Sequence, residues 1–261
     1  MEPYHIHIGL GQLALGILLV LIAGITSIWH TLELERDLIV GTVRTFIQLF
    51  LLGYVLEFIF KIQNFWLVIM FFSLMILFAA WTIKGRVKEK QISFFLPVFF
   101  SMIVSYFIVS YIVTAVLIGV KPWWSPHYFI PLGGMVIGNS MNAIAIALER
   151  LLSELRRCRG EIEMKLCHGA DFKEASENIV RRSIKAGMIP SINSMMAVGI
   201  VFIPGIMTGQ ILAGADPLIA IRYQIIVMVM LVGSTTLGTL LVVLIVRKLC
   251  FGSAHQLLLN N

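Results

Sequence analysis

Asn139, Asn142, Ser191, Asn193, Thr208 and Gln210 are neutral hydrogen-bonding side chains. They sit in two otherwise apolar stretches, 128–150 and 188–214, that carry no charge before Glu149. In a hydrocarbon surround such groups can bond helix to helix or line a path for a solute. Met135, Asn139, Asn142, Ile146 and Glu149 recur at helical spacing and so share one face. Met135, Met141, Met195, Met196 and Met207 lie among them, and thioethers suit soft ions such as Cu(I). Methionine also fills helical cores. No His, Cys or carboxylate cluster accompanies these thioethers: His5 and His7 are near the N-terminus, and His168 has only Cys167 beside it. No metal site is assigned.

The same stretches hold two small-residue pairs, Gly134 with Gly138 and Gly205 with Gly209. That spacing lets helix backbones approach closely, either within the chain or across a dimer seam. Pro204 precedes Gly205, removes a backbone donor and predicts a kink, static or hinging. Asp216-Pro217 has the form of a helix start, with an outer gate as the alternative. Glu57 and Lys61 stand four apart, as an exposed ion pair or as a carboxylate attracting cations at an exit. Arg44 and Gln48 share a helix face, with Arg44 either snorkelling to an interface or turned inward.

These residues must be positioned by membrane helices. Of 261 residues, 59% are hydrophobic and 13% charged, unlike a soluble domain. Stretches of about 20 apolar residues suffice to cross a core of roughly 30 Å as helix. The expected fold is an all-α polytopic membrane protein, one permease domain over 1–261. Seven spans are expected, at 8–29, 38–60, 65–83, 93–118, 128–148, 190–213 and 219–246. The first is not expected to be a cleaved leader, because it lacks a basic leading region, its apolar run is too long and no small-residue cleavage site follows.

Basic residues set the orientation. The loop at 84–91 holds Lys84, Arg86, Lys88 and Lys90; segment 149–187 holds nine more, and Arg247 and Lys248 follow the last span. The opposite loops hold only Lys61 and Lys121. The N-terminus is therefore expected outside and the C-terminus in the cytosol of a cell or inner membrane. Cys158, Cys167 and Cys250 then fall on the reducing side. The net charge of +6 follows from this topology and does not call for nucleic acid.

Segment 149–187 is expected to form two short amphipathic helices joined at Gly169-Ala170-Asp171, with Gly160 as a breaker or cap. Leu151, Leu152, Leu155, Ile162 and Leu166 supply the apolar stripe, and Asp171 with Glu174 a capping box. The segment is either a solvated loop or a docking surface whose apolar side meets a partner's groove. Glu163, Gly169, Ala170 and Ile179 resemble the Glu-Ala-Ala…Gly…Ile-x-Leu-Pro loop of ATP-binding-cassette import permeases. Met164 and Lys165 replace its alanines, and Arg181-Arg182 its Leu-Pro.

Longer strings carry a more specific resemblance. They are Arg44-x-x-x-Gln48-Leu49 with Gly53, PLGGMVIGNSMNAIAIALERL at 131–151, GMIPSINSM at 187–195 and IPGIMTGQILAGADPLIAIRYQI at 203–225. Together they resemble the FetB-type (UPF0014) ABC permeases, known as iron-export permeases. The plant aluminium-tolerance membrane subunits belong to the same family. The resemblance implies a homodimeric permease paired with a separate ATPase, exporting iron or a related metal ion; a sugar nucleotide is the alternative cargo. Glu163, Gly169, Ala170, Asp171, Glu174, Arg181 and Arg182 would then couple to the ATPase. Met135, Asn139, Asn142, Ser191, Asn193, Thr208 and Gln210 are the pathway candidates. The chain has no Gly-x4-Gly-Lys-Ser/Thr loop, so no cofactor is expected on it, and ATP belongs to the partner. A carrier or channel driven by an ion gradient is the competing class, disfavoured by spans without central titratable groups. A membrane protein with no pathway is a third.

Overall fold

The structure is a computed structural model that describes residues 9–87, 89, 92–252 and 256–259. His5, His7, Lys88, Lys90 and the first residue of the expected span 8–29 lie outside that description. Among the described residues regular structure is helical: α1 (Leu10–Trp29), α2 (Glu35–Ile62), α3 (Phe65–Val87), α4 (Phe95–Tyr111) continued by a π-helical turn (Ile112–Leu117), α5 (Pro126–Arg157), α6 (Arg159–Cys167), α7 (Phe172–Ala197), α8 (Gly205–Leu212) and α9 (Pro217–Cys250). The protein is thus an all-α polytopic membrane protein. Among the described residues six helices are long and apolar enough to cross a membrane: α1, α2, α3, α4 with its π turn, α5 and α9.

The expected span 190–213 is the exception. It is not one helix but the end of α7, a break at 198–204, and the eight-residue α8. Gly199 adopts φ +82°, which a helix cannot continue through, and its N–H bonds to the Phe202 carbonyl at 3.0 Å. Pro204 closes the break: its carbonyl accepts from Thr208 N–H at 3.0 Å and so starts α8. Pro190, by contrast, is accommodated inside α7.

The chain forms two compact units. One contains α1 and α2 together with Leu212–Gly214. Its inter-helix turn is pinned by Ser27, whose hydroxyl donates to Glu35 Oε1 at 2.7 Å and accepts from Leu34 N–H at 3.1 Å. Leu19, Ile22, Ile39 and Ile47 are exposed, as helices apolar all round require of a lipid or protein surround. Arg44 and Gln48 are both exposed on α2. The Glu57–Lys61 pair forms at 2.7 Å on exposed side chains, so it adds little stability.

The second unit is built on α5, against which α3, α7 and α9 pack, with α4 on α9. Phe72 of α3 meets Phe129 of α5 and Phe107 of α4 at ring-centroid distances of 4.9 and 5.0 Å. A Cβ at Gly133 would run into the Phe72 ring, and one at Gly187 would lie 2.5 Å from the Ala143 carbonyl oxygen. Ser140 of α5 and Thr235 of α9 face each other at 3.5 Å in the buried seam. Asp216 caps α9 as its position suggests, accepting from Leu218 N–H at 2.7 Å, with Pro217 in the first turn.

Candidate functional site

Helices α5, α6 and α7 form a hairpin-like lever. Helix α5 continues past Glu149 without interruption to Arg157, where Cys158 turns the chain and donates its N–H to the Glu154 carbonyl at 2.9 Å. The break therefore falls at Cys158, while Gly160 lies inside α6. Helix α6 ends in a left-handed turn: Gly169 has φ +92°, its N–H bonds to the Leu166 carbonyl at 3.0 Å, and Ala170 N–H reaches the Lys165 carbonyl at 3.1 Å. Both bonds satisfy carbonyls that the helix end would leave open. Asp171 then starts α7, accepting from Glu174 N–H at 2.7 Å while Glu174 Oε2 accepts from Asp171 N–H at 3.0 Å. The Asp171→Ala variant is expected to lose about 1 kcal/mol of α7 N-terminal stability. Faster amide hydrogen exchange at Glu174 and Ala175 is the readout.

The apolar stripe of this lever is used internally. Leu151, Leu152, Leu155, Ile162, Ala175, Ile179 and Val180 are buried within the chain. The expectation that this stripe meets a partner's groove is corrected: it holds α6 against α5 and α7, and α6 turns its charges outward. Glu163 pairs with Arg159 at 2.7 Å and Glu161 with Lys165 at 2.6 Å. The Lys165 ammonium holds the Glu161 carboxyl below its ordinary range, with a smaller contribution from the Arg182 charge. Arg181, Arg182, Gly169, Asp171 and Glu174 are exposed, and Ala170 is half-buried. Met164 is the large apolar side chain that α6 leaves open, 56% exposed.

Two features escape the sequence reading. Glu154 is a buried carboxylate held between Arg157 at 2.6 Å and Arg150 at 3.1 Å. Its spacing of four and three residues from these arginines is a signal a helical plot reveals. The C-terminal segment folds back on the lever. Leu258 N–H bonds to the Cys250 carbonyl at 2.8 Å, Arg159 Nη1 donates to the Leu259 carbonyl at 3.0 Å, and Leu257 and Leu259 are buried. The Phe251 ring lies 5.6 Å from that of Phe172, and Arg156 pairs with Glu89 from the chain between α3 and α4. These contacts are long-range in sequence and have no local pattern.

On α5, Asn139 and Asn142 are exposed and Met135 is half-buried. The Asn139 amide bonds within its own helix, to the Met135 carbonyl at 3.0 Å. Asn142 Oδ1 instead accepts from Arg86 Nη1 of α3 at 3.0 Å. On α7, Asn193 is exposed and Ser191 half-exposed. Thr208 and Gln210 lie beyond the break on α8, and α8 makes no extensive packing contact with α5 among the described residues. Thr208 Oγ1 donates to the Pro204 carbonyl at 3.1 Å, and Gln210 Oε1 is buried without a partner. Helices α5 and α7, which carry five of the candidates, pack together at Gly187 and Ala143, whereas the α8 pair lies on a separate helix.

Close helix approaches fall at Gly133, Gly134, Gly187 and Gly238, so one member of the marked pairs takes part. Gly134 faces Met75 Cε at 3.1 Å, while Gly138, Gly205 and Gly209 have open space where a Cβ would stand. Within this chain those three do not serve helix packing. Among the described residues no group of three or more His, Cys, Asp or Glu side chains is placed to hold a metal ion.

A family model described as "Uncharacterised protein family (UPF0014)" matches residues 10–251. The chain is 38% identical to "UPF0014 membrane protein slr1647" of Synechocystis, covering 88% of this chain and 89% of that protein. It is 34% identical to "Probable iron export permease protein FetB" of Escherichia coli, covering 96% and 95%. It is 31% identical to "Protein ALUMINUM SENSITIVE 3" of Arabidopsis thaliana, covering 95% and 90%. No solved structure matches the chain significantly.

Proposed function

The chain belongs to the UPF0014 family of membrane proteins, and on that premise we propose that it is the membrane-spanning subunit of an ATP-driven exporter of iron or a related metal ion. The observation that carries this reading is the continuity of the lever. Helices α5 and α7 each run unbroken into the α6 turn, so a displacement of α6 moves both as rigid bodies. A separate ATPase grips the outward charges of α6 and the Gly169–Asp171 turn from the cytosol. ATP bound on that partner draws two copies of the permease together and reopens them on hydrolysis. The polar face of α5 and α7, with Asn139, Asn142 and Asn193, lines the pathway. Gly138, Gly205 and Gly209, open in the single chain, are available to the second copy. The N-terminus lies outside and the C-terminus in the cytosol.

The test is reconstitution of this chain with its ATPase in vesicles. ATP-dependent movement of Fe(II) is expected with both subunits and none with the permease alone. Flux driven by an ion gradient without nucleotide would replace the reading with a secondary carrier. ATP-dependent flux of a sugar nucleotide but of no metal would replace the cargo.

The same assay separates pathway from scaffold. The Asn142→Leu variant is expected to lower flux about tenfold, because it removes a polar lining group and strips the exposed Arg86 of its acceptor. Its stability should fall by about 1 kcal/mol or less. Unchanged flux in Asn139→Leu and Asn142→Leu together, with folding retained, would remove this face from the pathway.

A further inference from the structure

Helix α6 is weakly held. It runs for nine residues between the turn at Cys158 and the turn at Gly169. It buries Ile162 and leaves Glu161, Glu163, Met164 and Cys167 exposed. A helix this short has little stability of its own, because nucleation costs more than so few bonds return. Among the described residues it packs on α5 and α7 but makes no extensive direct contact with α9. Anchored through Ile162 between two turns, α6 can roll about its axis and absorb a push before its neighbours feel it.

Residues 256–259 remove that freedom. Leu257 and Leu259 are buried and Leu258 between them is exposed, the alternation of an extended segment with one covered face. The segment is pinned to the end of α9. Leu258 N–H donates to the Cys250 carbonyl at 2.8 Å, Gly252 N–H donates to the Gln256 carbonyl at 2.8 Å, and Phe251 and Leu257 form an antiparallel bridge. Its far end holds α6: Arg159 Nη1 donates to the Leu259 carbonyl at 3.0 Å, across 100 positions of sequence. That bond is charge-assisted and so stronger than a neutral one. Arg159 Nε also pairs with Glu163, which fixes the guanidinium to α6 itself. Beside it, the Phe172 ring at the start of α7 lies 5.6 Å from the Phe251 ring and 5.7 Å from the Arg247 guanidinium. The starts of α6 and α7 are thus fastened to the end of α9.

We propose that residues 256–259 are a coupling strap that passes the displacement of α6 to α9. Arg159, Leu257 and Leu259 are its positioning residues, and they act by keeping α6 from rolling. Helix α9 packs against α4, α5 and α7. The strap therefore brings α9 and α4 into a movement that otherwise stops at α5 and α7. The proposal rests on the exporter reading and adds α9 to its moving parts.

The experiment compares the unaltered chain with a chain lacking residues 256–261, each reconstituted with its ATPase in vesicles. ATPase co-purification, ATP hydrolysis and ATP-dependent Fe(II) flux are read together. In the shortened chain, flux per ATP hydrolysed is expected to fall by roughly tenfold or more, with co-purification and hydrolysis retained. A segment that merely covers apolar surface would leave that ratio alone. Should the shortened chain fail to fold, Arg159→Leu is read in the same way and is expected to lower the same ratio. An unchanged ratio in a folded variant, whether the two rates hold or fall together, overturns the proposal. Loss of co-purification also overturns it, because the segment then shapes the docking surface and transmits nothing. Absence of ATP-dependent flux in the unaltered pair is a separate result, which removes the exporter reading and the strap with it.

Discussion

Replacing Gly187 with valine is expected to cost about 3 kcal/mol or more and to separate α7 from α5. A Cβ at this position would stand 2.5 Å from the Ala143 carbonyl oxygen and 3.0 Å from the Ala147 Cβ. Neither obstacle is the end of a flexible side chain, so relief requires moving a helix. Over-packing with freer neighbours already costs about 1–3 kcal/mol. A denaturant titration in mixed micelles would show the midpoint fall. Gly138→Ala and Gly209→Ala meet nothing within 4 Å and should leave the stability unchanged or raise it by up to ~1 kcal/mol through helix propensity. If either alanine instead dissociates a dimer while the single chain stays folded, that glycine sits in the seam between copies. If Gly187→Val unfolds at the wild-type midpoint, the packing described for α5 and α7 is wrong.

The second large effect is expected at Gly169, and it is functional. With φ +92° this residue ends α6 and aims the chain at the Asp171 cap. A β-branched side chain is disfavoured there by about 1–2 kcal/mol or more, which the turn can relieve by unwinding. The Leu166 carbonyl then loses its Gly169 donor and the Lys165 carbonyl its Ala170 donor. Gly169→Val is expected to reduce ATP-dependent transport at least tenfold while the membrane helices remain folded. Gly169→Asn, which tolerates the left-handed region, should keep most of the activity. Measurement of flux and of ATPase co-purification for both variants decides the matter. Wild-type coupling in the valine variant would show that the turn is not the gripped element.

How far the sequence reaches can be judged from these same residues. The Asp171–Glu174 box, the Asp216-Pro217 start of α9 and the Glu57–Lys61 pair were all legible, because each is local. A cap or an i,i+4 pair needs only its own turn of helix. The broken segment was half-legible. Pro204 announced a disturbance, but Gly199, whose positive φ ends the helix, looks in the sequence like any other glycine of a span. The lever's apolar stripe was correctly located and wrongly partnered. Periodicity says that a face must be covered, not whether the cover comes from α5, α7 or another protein.

The glycines make the limit clearest. The four-residue spacing of Gly134 with Gly138, and of Gly205 with Gly209, drew attention to positions of which three have open space. Gly187, which is in no Gly-x-x-x-Gly pair but stands four residues from Ser183 and from Ser191, is where a Cβ would lie 2.5 Å from the Ala143 carbonyl oxygen of α5. Glu154 had a local signature in its flanking arginines, whereas the clasp formed by Arg159 and the Leu259 carbonyl joins residues 100 positions apart.

The amino-acid sequence by itself determined that this chain lives in a membrane as a set of helices, because twenty-residue apolar runs admit no other way to satisfy the backbone in lipid. It also determined the family, through strings long enough to be specific, and the caps and pairs that lie within one helical turn. The tertiary structure alone decided which glycines let helices touch, what covers the apolar side of α6, and that the span expected at 190–213 is broken at 198–204. Those outcomes depend on which faces meet across the fold, and the free energy of a contact is set by both partners, only one of which any local stretch of sequence contains.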